Sequence, residues 1–397
     1  MAMNFRKIFF FFIMCAFVFD PLFALAEDPL KVVGWIPYWK KDKGALSAME
    51  HIDSFSEISP FGYTIKSDGT LFDAMDLKEE PWPTLFRVAK QNKVKIIPTV
   101  MSSNGYTIDK ILRNKKLRDV HIKHIVKVVK ENNFDGIDID YEGKYFKTRD
   151  YFSIFLRDLY KAMGNKLVTC SIEAKMPVDS LSDAFPRPYK YANDLDAVNK
   201  YCDEVRIMTY DQGAIDSKLT KEAGGPYIPV SDPKWVEKVV TLMKKNISKK
   251  KIFVGVPTYG YEYEVKPLEE GYRYKLLWSF SQNYAEEILN KLNMTPSRNK
   301  SGELSFVYSS TTLAVVEGKL NTASLQMAPI NSSHYSFEEL IKTNGKFNIM
   351  WWSDSLAIKD KMSVAKKLGV KGVAVFKIDG GEDPKIWDVL KKNKYRD

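Results

Sequence analysis

The chain has 397 residues, 45% hydrophobic and 28% charged, which is enough apolar material for a large ordinary core. Its formal net charge of +10 comes from lysines spread along the chain rather than gathered in patches. That argues against a nucleic-acid footprint and for attraction to anionic polymers such as a bacterial wall.

Residues 1–26 read as a secretory signal peptide: Arg6 and Lys7, an apolar run from Ile8 to Phe19, and small Ala24 and Ala26 ahead of Glu27. The run is shorter than the roughly 20 residues of a membrane span, and no later stretch is long and apolar enough. The expectation is an exported protein without stable membrane insertion after cleavage, destined for periplasm, wall or medium. Beyond the leader two cysteines remain, Cys170 and Cys202, each in an apolar run. They read as buried thiols, with pairing left open, and exclude a disulfide scaffold.

Apolar, β-rich runs recur at 31–39, 57–65, 94–102, 135–142, 167–174, 204–211, 252–261 and 370–378, with helical segments between them. Eight strands alternating with helices point to a parallel closed TIM (β/α)8 barrel. The helix before the fourth strand carries Ile122, Ile125, Val126 and Val129 on one face and ends at Asn132 and Asn133. His121 and His124 read as its solvated face. Between strands seven and eight, residues about 264–346 break the alternation. A helical stretch from Gln282 to Leu292, a turn at SRNKSGE and a strand-like SFVYSS suggest a small α+β insertion. No repeats, and nothing like an appended wall-binding module, are read in the chain.

The fourth run, FDGIDIDYEG, sets Asp138, Asp140 and Glu142 at every second position. A strand with period two therefore carries the acids on one face and Ile137, Ile139 and Tyr141 on the other. In a barrel the apolar set packs on the helices, and the acids point inward and climb to the C-terminal rim, where such barrels hold active sites. Three carboxylates this close cannot all ionise cheaply, so a proton should be shared and one group should stay protonated as a general acid. The chemical competitor is an Mg²⁺ or Ca²⁺ site, but nothing nearby supplies a further ligand cluster, and the reading is no metal.

DGIDIDYE resembles the DGxDxDxE signature of glycoside hydrolase family 18. VVGWIPYW, IMTYD and VPTYGYEY resemble that family's first, sixth and seventh strands. FGYTIKSDGTL, GPYIPVSDPKWV and the ending that starts at WWSDSL are similar to its spore-cortex and peptidoglycan-fragment branch, without LysM repeats. Together these cover most of residues 31–390.

The resemblance implies a retaining β-N-acetylglucosaminidase or chitinase that needs no cofactor and uses substrate assistance. Glu142 would be the acid and later the base; Asp140 would orient the substrate acetamido group; Asp138 would share a proton with Asp140; Tyr210 would donate to the acetamido oxygen; and Asp211 would contact the sugar. Trp35, Tyr38, Tyr63, Tyr259, Tyr261 and Trp352 are candidates for stacking on sugars, and Phe376 stands where the family usually has a tryptophan. The implied partner is a polysaccharide containing N-acetylglucosamine, peptidoglycan or its fragments before chitin. A non-catalytic sugar-binding protein is the reading from another class.

Overall fold

A computed structural model describes residues 29–181, 188–309 and 345–394; the leader, 1–26, lies outside the described residues. Eight parallel strands close on themselves. They are Lys31–Ile36, Glu57–Pro60 continued by Tyr63–Ile65, Lys95–Ile96 continued by Thr99–Ser102, Gly136–Tyr141, Leu167–Glu173, Glu204–Met208, Ile252–Pro257 and Gly372–Phe376. The last pairs with the first, Val32 opposite Val373. Strands two and three are each interrupted, yet stay joined through Ile58 opposite Ile96 and Tyr63 opposite Val100. Helices flank the barrel, and among the described residues no helix is long and apolar enough to cross a membrane.

Strand four shows why an acidic sequence can be buried. Ile137, Ile139 and Tyr141 face outward into the helices, and Tyr141 packs on Phe155 and Phe152 at centroid distances of 5.7 and 6.1 Å. Asp138 and Asp140 face inward, where Glu57, Ser59, Thr99, Thr169, Ser171 and Arg206 make the barrel interior polar. Inward polar groups need mutual partners, because an unpaired buried charge is costly.

His121 is not solvated. It shares a buried face with Arg118, Ile122, Ile125 and Val129, and its ring bridges the Gly69 carbonyl at 2.8 Å and the Tyr141 hydroxyl. Burial pushes its pKa down to about 4, so the imidazole is neutral. The two cysteines are not thiols either: Cys170 on strand five and Cys202, just before strand six, are disulfide-bonded with Cα atoms 6.0 Å apart. Consecutive barrel strands bring the two positions within bridging distance.

After strand seven the chain turns at Thr258 into a second sheet, antiparallel and five-stranded. Its order is Tyr272–Ser281, Tyr259–Pro267, Phe347–Trp352, Leu304–Tyr308 and Ser297–Arg298. The helix Gln282–Leu292 covers it, burying Ala285, Ile288 and Leu289 with Phe280, Phe306, Met350 and Trp352. This sheet starts before and ends after the 264–346 stretch expected from sequence; 310–344 lie outside the described residues.

Candidate active site

Each inward position of strand four meets a different environment. Asp138, at the deepest level, is fully buried and accepts from four neighbours. Trp35 Nε1 lies 3.3 Å and Thr99 Oγ1 3.0 Å from Oδ2, Thr169 Oγ1 2.8 Å from Oδ1, and Ser171 Oγ 3.0 Å from both oxygens. Arg206 Nη1 stands 3.4 Å from Oδ2. Trp35 is therefore an anchor for this carboxylate rather than a stacking surface, with its own ring under the Arg206 guanidinium at 5.5 Å.

One step higher, Asp140 is buried, and its Oδ1 has no hydrogen-bond partner. Burial first, then the charges of Glu142 and Asp138, raise its pKa far above the carboxylate range. No hydrogen bond joins it to Asp138 among the described residues. The donors converge on Asp138, and burial favours the neutral form of Asp140.

Glu142 follows the strand at the rim. Its backbone N–H is held by the Ser102 carbonyl at 2.8 Å, while its carboxyl has no donor among the described residues. Burial, then the negative charges of Glu173 and Asp211, raise its pKa, with Lys144 opposing. Glu173, at the end of strand five, behaves oppositely. Burial pulls it up, but Lys144 and the Asn193 amide outweigh that, and its pKa ends below the ordinary value. Two neighbouring carboxyls driven apart in this way favour one acid and one carboxylate at the same pH.

Tyr210, just beyond strand six, stacks on Phe376 at 5.4 Å and 16°. Its hydroxyl has no protein partner among the described residues, and burial, then Asp140, hold it protonated. Asp211 sits in a left-handed conformation, φ 57°, and accepts from Tyr259 and Tyr261 hydroxyls at 2.5 and 2.6 Å. The residue is exposed at the rim, yet its carboxyl lies beneath the two phenols. Burial of that group raises its pKa, and the phenol donors pull it back.

These groups line a cavity of about 450 Å³ that contains Asp140, Glu142, Glu173, Tyr210, Asp211 and Phe376. A second, of about 580 Å³, adjoins it through Trp39, Asp211 and Phe376 and runs along Tyr259, Tyr261 and Trp278 of the antiparallel sheet. Tyr259, Tyr261 and Phe376 thus lie in the cleft. Three other candidate aromatics do not: Trp352 is buried in the core of the second sheet against Phe280 and Phe306, Tyr63 is buried in the barrel, and Tyr38 is exposed, edge-on to Trp39, and lines neither cavity. Trp39, Trp278 and Glu173 are cleft residues that sequence reasoning passed over. Glu173 did carry a signal, an acid directly after an apolar run, the same pattern that marked Glu142. Among the described residues no cluster of three or more metal-ligating side chains occurs.

The model of glycosyl hydrolases family 18 matches residues 31–381. An uncharacterized glycosylase, YvbX of Bacillus subtilis, is 24% identical over 77% of this chain and 76% of its own length. The cortical fragment-lytic enzyme of Bacillus anthracis is 22% identical over 84% of this chain and 66% of its own. Among solved structures, the spore cortex-lytic enzyme SleL of Bacillus cereus superposes with a TM-score of 0.69 at 18% identity, covering 93% of this chain and 75% of that one. A class V chitinase from Pseudomonas fluorescens gives 0.69 at 21%, covering 92% and 100%.

Proposed function

The chain belongs to glycosyl hydrolases family 18 and is a glycoside hydrolase; from that premise we propose that it is exported and cleaves β-1,4 bonds next to N-acetylglucosamine with retention of configuration, acting on peptidoglycan or its fragments. The observation that carries the chemistry is the contrast along strand four: Asp138 saturated with donors, Asp140 buried with an unpartnered oxygen, and Glu142 unbonded in the cavity.

In this reading Glu142 gives its proton to the glycosidic oxygen as the bond from that oxygen to the anomeric carbon breaks. The acetamido oxygen of the same sugar forms a new bond to that carbon, giving an oxazolinium ion, so no protein nucleophile is required. Asp140 accepts from the acetamido N–H and so orients the group, while the Tyr210 hydroxyl donates to the acetamido oxygen and directs its approach. Glu142, now a carboxylate, takes a proton from water as that water attacks the anomeric carbon and the oxazolinium ring opens. Two inversions restore the starting configuration. Phe376 supports the Tyr210 ring from behind.

Similarity to cortical fragment-lytic enzymes favours a wall glycan. The similarity to chitinases gives a second reading, hydrolysis of chitin oligomers, which share N-acetylglucosamine. Incubation of the purified protein with muropeptides and with chitin oligomers of matched length, followed by proton NMR of the first-formed product, tests both points. The proposal expects faster release from muropeptides and a β-anomer. An α-anomer removes substrate assistance, and preference for chitin oligomers replaces the wall glycan as substrate.

A further inference from the structure

The last ladder pair between strands four and five is Asp140 with Ser171. Beyond it the two chains are clasped by a side chain. Glu173 Oε1 accepts from the Gly143 N–H at 3.1 Å, on the peptide immediately after Glu142. Its Oε2 accepts from the Asn193 amide at 2.9 Å and lies 3.4 Å from Lys144 Nζ. Tyr191 fixes the Glu173 backbone through a 2.5 Å hydrogen bond to its carbonyl.

Lys144 is itself held: its side chain is fully buried, its ammonium also meets the Tyr141 carbonyl, and it lies 4.9 Å above the Phe152 ring. The charge on Glu173 is therefore stationed, not mobile. With its oxygens committed to these donors, Glu173 is poorly placed to attack or protonate a sugar, although it lines the same cavity as Glu142.

We propose that Glu173 is a positioning residue for Glu142, fixing the peptide that follows the acid and supplying the stationary negative charge beside which Glu142 keeps its proton. This rests on the reading of Glu142 as proton donor. The groups that act on Glu142 are Glu173 from strand five, Asp211 and Tyr210 from the end of strand six, and Asp140 and Lys144 from its own segment; of their charges, that of Glu173 acts most strongly. The carboxylates of Glu173 and Asp211 against one ammonium leave a field that disfavours a further carboxylate at Glu142.

The test is a titration of the Glu142 side-chain carboxyl by carbon NMR in protein labelled at glutamate, its signal assigned by its loss in Glu142→Gln. Wild type is compared with Glu173→Gln and Glu173→Asp, and the pH profile of kcat/KM on a chitin oligomer is recorded alongside. Glu173→Gln preserves shape and an acceptor for Gly143 but removes the charge. The Glu142 titration then moves to lower pH, and on the basic limb kcat/KM falls about three- to tenfold more than on the plateau. Glu173→Asp, which keeps the charge, moves both back toward wild type. A Glu142 titration unmoved by Glu173→Gln overturns the proposal. A wild type that turns over no glycan defeats the catalytic reading instead, and the NMR titration still decides whether Glu173 governs Glu142.

Discussion

Arg206 Nη1 lies 3.4 Å from Asp138 Oδ2 inside the barrel, where neither side chain meets solvent. The same guanidinium donates to Ser59 at 2.7 Å and to Glu57 at 3.3 Å on strand two, so one cation on strand six ties the acid row to strand two. Removing one member of such a buried network leaves the other charges uncompensated, at a cost of about 3–5 kcal/mol. Arg206→Met is therefore expected to lower stability by that amount in denaturant unfolding at neutral pH. A loss below about 1 kcal/mol would mean that Asp138 and Glu57 find other partners.

The disulfide closes a loop with a sequence separation of 32. Chain-entropy arguments assign such a loop about 3–4 kcal/mol. Complete reduction, checked by thiol counting, should lower the denaturant midpoint and leave the strand-four site assembled, because Cys170 faces away from it. An unchanged midpoint after reduction contradicts the assignment.

Tyr210 separates function from stability. Its hydroxyl has no protein partner among the described residues, while its ring packs on Phe376 and Tyr259. Tyr210→Phe keeps the packing, so stability should change by no more than about 0.5 kcal/mol. Loss of one donor to the developing ring should lower kcat about a hundredfold. Equal turnover by the two proteins would assign the phenol to packing alone.

The pH dependence has a definite sign. Glu142 must carry a proton to donate it, and its pKa is raised above the ordinary 4.5 by burial and by Glu173. Activity is therefore held at pH below that raised pKa and lost as pH rises through it. A basic limb of kcat/KM whose midpoint lies at or below 4.5 would show that the donor is another group.

Much of this was legible in the sequence for physical reasons. Period two in a strand fixes which face each side chain takes, so the inward row of Asp138, Asp140 and Glu142 and the outward row of Ile137, Ile139 and Tyr141 follow from FDGIDIDYEG alone. Less legible was whatever depends on neighbours from other strands. Nothing local shows that Trp35 turns its indole toward Asp138, or that Trp352 closes a second core while Trp39 lines the cleft. His121 and the cysteines carried signals that were outweighed. His121 lies four residues before Ile125 and eight before Val129, on the buried stripe, and Cys170 lies within one strand and Cys202 just before the next. The role of Glu173 was less legible than its place after an apolar run, because it acts through Asn193 and the adjacent pair Gly143 and Lys144, two segments distant from it in sequence.

The central claim is that Glu142 is the proton donor, and the most direct measurement is the turnover of wild type beside Glu142→Gln on the better of the two glycans at one pH. The account predicts that wild type cleaves and that the variant, equally folded and still binding the glycan, loses at least about a hundredfold in kcat. A variant within a few-fold of wild type would contradict it, and a wild type that binds both glycans and cleaves neither would make this barrel a sugar-binding protein.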